Sequence, residues 1–77
     1  MNTQNAKEIA QNRSMAEKLG ALARNTKTEF EGLVIACGVF RDREHYTLKN
    51  LETNESESYI DVDDIEIIGD GVRKLPY

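Results

Sequence analysis

Asp61, Asp63, Asp64 and Glu66 put four carboxylates within six residues, the densest acid cluster of the chain. Calcium would be the first chemistry to ask of them. It takes roughly six to eight oxygens, and its common loop places acids at the first, third and fifth positions with Gly at the sixth. Counted from Asp61, the fifth position is Ile65 and the sixth is Glu66, so the motif fails. Two other uses stay open. Asp63 or Asp64 caps a short turn between Val62 and Ile65, accepting from backbone N–H groups that the break exposes. Asp61 and Glu66 then lie on a solvated outer edge. Alternatively the cluster is an acidic docking edge for a basic partner, with the added effect of discouraging edge-to-edge strand pairing.

The second stretch with chemistry is Phe40-Arg41-Asp42-Arg43-Glu44-His45-Tyr46. Arginine pairs with phosphate, and Tyr or Phe stacks on bases, so Arg41, Arg43, His45 and Tyr46 are candidate nucleic-acid contacts. Asp42 and Glu44 interleave with them and cancel the charge, which equally describes a solvated hairpin tip. Cys37 and His45 fall short of a structural zinc site, which needs four ligands, unless two subunits share one. As a nucleophile and base they lack a visible third group to orient them. Cys37, after an apolar run and before Gly38, reads as a small buried hydrophobe. No catalytic constellation, metal site or cofactor motif emerges, and the expectation is a protein that is not an enzyme.

The elements that would carry these residues follow from periodicity. Met15, Leu19 and Leu22 recur at helical spacing, with Ile9, Ala16 and Ala23 alongside, and predict a helix over about residues 5–24. Its start is either near Asn5 or at Ser14, where Ser14-Met15-Ala16-Glu17 has capping-box form. Asn25 is the expected stop, and Gly20 would sit inside the helix and allow close packing. Residues 27–69 read as short strands. Thr28 to Cys37 turns apolar on both faces from Leu33, with Gly32 at a possible sharp bend. A hairpin turns near Arg41-Asp42-Arg43. In the next strand Tyr46 and Leu48 share one face, opposite Thr47 and Lys49. Residues 59–62 and 65–68 close the strand region. Residues 70–77 read as a loose tail.

The helix-plus-bent-strands layout resembles the Sm-like, SH3-type small barrels over residues 28–69. Phe30-Glu31-Gly32-Leu33-Val34-Ile35 is similar to that family's second strand, and Tyr46-Thr47-Leu48-Lys49-Asn50 to its third. Tyr59 to Ile68, broken at Asp63-Asp64, is similar to the closing pair. The resemblance implies a small barrel, ring-forming self-association and RNA binding. Two departures accompany it. Asn25-Thr26-Lys27 leaves little room for the strand the family has between helix and Gly. The basic closing residues of the family's RNA pockets are replaced by Asp61-Val62-Asp63-Asp64.

Bulk properties bound the answer. A chain of 77 residues makes one domain, and at that size only roughly 60% of the unfolded surface is buried, so the core is thin. Residues 1–28 carry Lys7, Arg13, Lys18, Arg24 and Lys27 against Glu8 and Glu17, while residues 29–77 hold five basic and twelve acidic residues. The net charge of −4 thus divides into a basic helical part and an acidic strand part. Nonspecific nucleic-acid binding needs the opposite sign on the strands. No apolar run reaches the roughly 18 residues of a membrane span. One cysteine excludes an internal disulfide, and the polar N-terminus carries no signal-peptide pattern, so the chain reads as cytoplasmic. The expected architecture is α+β: an N-terminal helix packed on a small, strongly bent antiparallel sheet or barrel of three to five strands. Ile9, Leu19, Leu22, Val34, Ile35, Leu48, Ile60, Ile65 and Ile67 are the expected core. The expected function is a small binding or regulatory protein acting on another protein, with a homo-oligomer expected; a nucleic-acid binder using helix and hairpin arginines is the alternative.

Overall fold

The structure, a computed structural model, describes residues 3–70. One helix, α1 (Thr3–Lys18), precedes five strands: β1 (Leu22–Asn25), β2 (Glu31–Phe40), β3 (Arg43–Lys49), β4 (Ser56–Asp61) and β5 (Ile65–Gly69). A single 3₁₀ turn, Val62–Asp64, joins β4 to β5. The strands form one antiparallel sheet in the order β4-β3-β2-β1-β5. The architecture is therefore the expected α+β one, with five strands. Residues 71–77, which hold most of the expected tail, lie outside the described residues.

The helix is shorter than its periodicity predicted, and Gly20 is the reason. Gly20 has φ 82°, the left-handed conformation that commonly ends a helix and that glycine adopts without steric cost. Its N–H donates to the Val34 carbonyl at 2.8 Å, so the chain passes from helix straight onto the sheet. Leu22 to Asn25 then alternates, with Ala23 and Asn25 buried, and forms β1. The strand that Asn25-Thr26-Lys27 seemed to leave no room for is present, because it uses residues the helical pattern had claimed. Asn25 ends β1 rather than the helix. Its Oδ1 accepts from the Lys27 N–H at 3.0 Å, folding the β1–β2 turn. Ser14 is likewise no cap: it lies in mid-helix, where its Oγ accepts from Lys18 Nζ at 2.7 Å.

β2 is the longest strand, ten residues, and pairs on both sides. Its first residues pair with β1 and the rest with β3. Gly32 pairs with Ala23 of β1 and precedes Leu33, which belongs to both ladders; a Cβ at Gly32 would meet the Lys49 carbonyl carbon and oxygen at 2.6 Å. Only glycine allows that approach. The register of β2 on β3 slips between Val34 and Ala36, which leaves Ile35 pointing outward. The β2–β3 loop is Arg41-Asp42, with φ 52° and 68°. Two positive φ values mark the mirror-image turn class whose twist suits a hairpin.

The core is Ala23, Val34, Tyr46, Leu48 and Ile60, with Met15, Phe30, Cys37, Val62 and Ile65 packed against it. Five expected core residues are not in it: Ile9 (51% exposed), Leu19 (40%), Ile35 (49%), Ile67 (44%) and Leu22. Ile9 is exposed on the helix, and Leu19 follows its last residue, Lys18. Met15 is the helical side chain that reaches the core. Leu22 is half-buried. The sheet does not close into a barrel by a ladder. Instead Glu57 of β4 reaches the β1–β2 turn, its Oε1 accepting from Asn25 Nδ2 at 3.0 Å and from Thr28 Oγ1 at 2.8 Å.

Candidate functional site

The β2–β3 hairpin and the 3₁₀ turn, about twenty residues apart in sequence, meet at one end of the sheet. Antiparallel pairing sets His45 opposite Asp61, which brings Arg43 beside the turn. Arg43 grips Asp61 with both forks, Nε to Oδ2 at 2.7 Å and Nη2 to Oδ1 at 2.6 Å. The same Nη2 donates to Asp63 Oδ2 at 2.5 Å. Asp61 also caps the 3₁₀ turn, its Oδ1 accepting from the Asp63 N–H at 2.9 Å. The hydrogen bonds from Arg43, then the one from the Asp63 N–H, hold the Asp61 carboxyl well below the ordinary carboxylate range. Hydrogen bonds to Asp61 and Asp63 raise the Arg43 guanidinium above its already high value. His45 completes the group, donating from Nδ1 to the Arg43 carbonyl at 3.0 Å, with Nε2 3.9 Å from Asp61 Oδ2.

The residues singled out in the sequence separate into four places. Arg43, His45, Asp61 and Asp63 form the cluster just described. The capping role expected of Asp63 or Asp64 belongs to Asp61, because the turn begins one residue earlier than the apolar spacing indicated. Asp64 pairs instead with Lys27 at 3.4 Å, and Glu66 with Arg24 at 2.7 Å. Neither is a bare acidic edge. Arg41 lies over the Phe40 ring, 5.3 Å from its centroid. Tyr46 is not a stacking platform: it is 1% exposed in the core. Burial, then its hydrogen bond to Glu44 at 2.6 Å, pushes its phenol pKa upward. Burial, aided by Glu44, also raises the Cys37 thiol pKa and keeps it protonated at neutral pH, the wrong state for a nucleophile. Among the described residues no group of three or more His, Cys, Asp or Glu is placed to hold a metal ion, and no helix is long and apolar enough to cross a membrane.

A further surface escaped the sequence reading. β4 and β5 are the two edges of the sheet, and they differ. β4 is guarded: its register on β3 slips between Tyr46 and Leu48, Tyr59 adopts φ 58°, and Glu57 folds across toward β1. Bulges and covering groups of this kind blunt an edge. β5 is bulged as well, its register on β1 slipping at Ile68 between the pairs Leu22–Gly69 and Ala23–Ile67, but none of its residues takes a positive φ as Tyr59 does. Its row carries no Pro, Lys or Arg, and its single charge, Glu66, is neutralised by Arg24. Ile67 (44% exposed) and Ile68 (42%) are both open to solvent. Among the described residues no strand lies on the far side of β5. The apolar run Ile65 to Ile68 is the available signal, but its Ile65 and Ile67 read as core because a strand's position at the edge is not visible in sequence. No family model, no curated protein and no solved structure matches the chain.

Proposed function

We propose that this chain is a small binding or regulatory protein that works by taking a partner's strand along β5. The observation that carries the reading is the contrast between the edges: β4 is bulged, takes a positive φ at Tyr59 and has Glu57 folded across toward the β1–β2 turn, whereas β5, bulged once at Ile68, presents exposed isoleucines with no neighbouring strand among the described residues. Added strands gain affinity from main-chain hydrogen bonds and specificity from alternate side chains. Where no other partner is present, a second copy fills the same edge. The resemblance to Sm-like barrels belongs to this proposal, since edge pairing is the assembly mode it implies. The nucleic-acid alternative loses its principal cation, because Arg43 is committed to Asp61 and Asp63.

Affinity capture with wild-type and Ile68→Lys baits, each with and without nuclease, tests the proposal. The expected result is a protein captured by wild type, retained after nuclease and lost with Ile68→Lys. Capture that disappears with nuclease and ignores Ile68→Lys would overturn it in favour of nucleic acid.

A further inference from the structure

A groove of about 460 Å³ lies where β1 and β2 meet the β3–β4 connection. Leu22, Leu33 and Leu51 line it, one each from β1, β2 and that connection, with Glu31, Glu52 and Lys49 beside them. Leu51 is 64% exposed, yet its loop is held: Asn50 Oδ1 accepts from the Glu52 N–H at 2.9 Å and the Thr53 N–H at 3.2 Å. Neither Glu31 nor Glu52 has an ion-pair partner among the described residues. The groove is thus an apolar surface with two unpaired carboxylates against one amine.

The opposite end of the same ribbon carries the converse. β2 and β3 pair from Leu33–Lys49 at the groove to Phe40–Arg43 at the hairpin. Phe40 is 59% exposed there, and the Arg41 guanidinium lies over its ring, 5.3 Å from the centroid. The neighbouring charges are spent: Asp42 pairs with Lys7, and Arg43 with Asp61 and Asp63. Arg41 has no carboxylate partner among the described residues. Exposed aromatics and arginines are the side chains that most often anchor the centre of an interface.

We propose that the Phe40–Arg41 hairpin tip of one copy docks in the groove of a second copy, with Phe40 among the three leucines and Arg41 against Glu31 and Glu52. Two observations select a second copy of this chain as the occupant. The first is complementarity: an exposed ring with an unpaired cation answers an apolar groove with unpaired carboxylates. The second is position. Strand rise puts Phe40 roughly 20 Å along β2 from Leu33, so no copy brings its tip to its own groove. The contact is head-to-tail: each docked pair leaves one tip and one groove free, and repetition extends it unless the rotation between copies closes a ring. One ring in one groove buries far less surface than a stable interface, so the contact is weak and forms only well above micromolar concentration. It uses neither isoleucine of β5 and does not rest on pairing at that edge.

The test is made in the full Ile68→Lys chain, so that association through β5 is removed. Phe40→Asp then spoils the tip and leaves the groove, while Leu51→Asp spoils the groove and leaves the tip. Isotope-labelled Phe40→Asp protein is titrated to millimolar concentration with one or the other unlabelled variant, and its leucine methyl signals are read. The account expects Leu22, Leu33 and Leu51 to shift when the Leu51→Asp chain is added and to stay in place when more Phe40→Asp chain is added. Molar salt should shrink the shifts, because the charged part of the contact is screened. Phe40 and Leu51 are both exposed; should either variant still fail to fold, Arg41→Glu replaces Phe40→Asp, Glu52→Arg replaces Leu51→Asp, and the same pattern is expected. Methyl signals that ignore the chain with the intact tip, or that respond equally to both additions, would overturn the docking.

Discussion

Asp61 binds the hairpin to the closing turn by doing two things at once. One oxygen ends the free N–H of the 3₁₀ turn, and both oxygens hold Arg43. The linkage has a definite sign. A carboxyl whose folded pKa is depressed binds its proton less readily in the fold than in the unfolded chain, whose Asp titrates near about 3.9. Its contribution is therefore complete above that value and is lost as pH falls toward the lower folded pKa. Melting temperature should decline between about pH 4 and pH 2, and Asp61→Asn should flatten that decline while lowering stability at neutral pH. Asp61→Asn keeps an acceptor for the Asp63 N–H, so Asp61→Ala should be the less stable variant at every pH. Thermal melts of the three proteins across that range check both statements; an acid limb that is the same in Asp61→Asn as in wild type would show that another carboxyl controls it. Arg43 and Asp61 were both legible in the sequence as charged residues near turns. Their pairing was not, because it depends on the β3–β4 register, which places His45 opposite Asp61.

The helix shows how one residue redirects an element. Leu19 and Leu22 stand three apart, a helical spacing, but Ala21, Ala23 and Asn25 are buried at a spacing of two. Both periods fit the same stretch, and Gly20 decides between them by ending the helix. Gly20→Ala should accordingly cost about 1 kcal/mol, where the same change inside a helix would stabilise. The docking contacts make an equally sharp contrast. Met15 packs on the core, so Met15→Ala should cost about 2 kcal/mol. Leu19 is 40% exposed and stands outside the core cluster, so Leu19→Asp should lower the thermal midpoint less than Met15→Ala does. Far-ultraviolet circular dichroism melts of these three variants suffice; a midpoint lowered further by Leu19→Asp than by Met15→Ala would mean that Leu19 rather than Met15 docks the helix. Gly32 was legible as the point where the strand pattern changes. That a Cβ there would meet the Lys49 backbone was not, since it is a property of two strands brought together. Gly32→Ala should cost about 1–3 kcal/mol through overpacking.

For the whole molecule, the hairpin position and the inward face of Tyr46 and Leu48 could be read from alternation, whereas the strand count could only be bounded at three to five, because β1 lay in residues that also fit a helix. Which strands lie at the edges could not be read, because edge position is set by pairing order across the chain. That gap concealed β5, whose isoleucines look like core until their missing neighbour is seen. A thin core with an edge strand that exposes two isoleucines gains from burial between chains. At micromolar concentration the purified protein should sediment above its 8.7 kDa chain mass, and Ile68→Lys should return it to that mass without changing its circular dichroism. The most direct test of the β5 edge is hydrogen exchange across the chain, comparing dilute protein alone with the protein bound to its captured partner. The account predicts that slowed exchange on binding is centred on residues 65–69. Protection confined to the helix or the Arg41–Asp42 hairpin, with residues 65–69 exchanging as in the free protein, would contradict it.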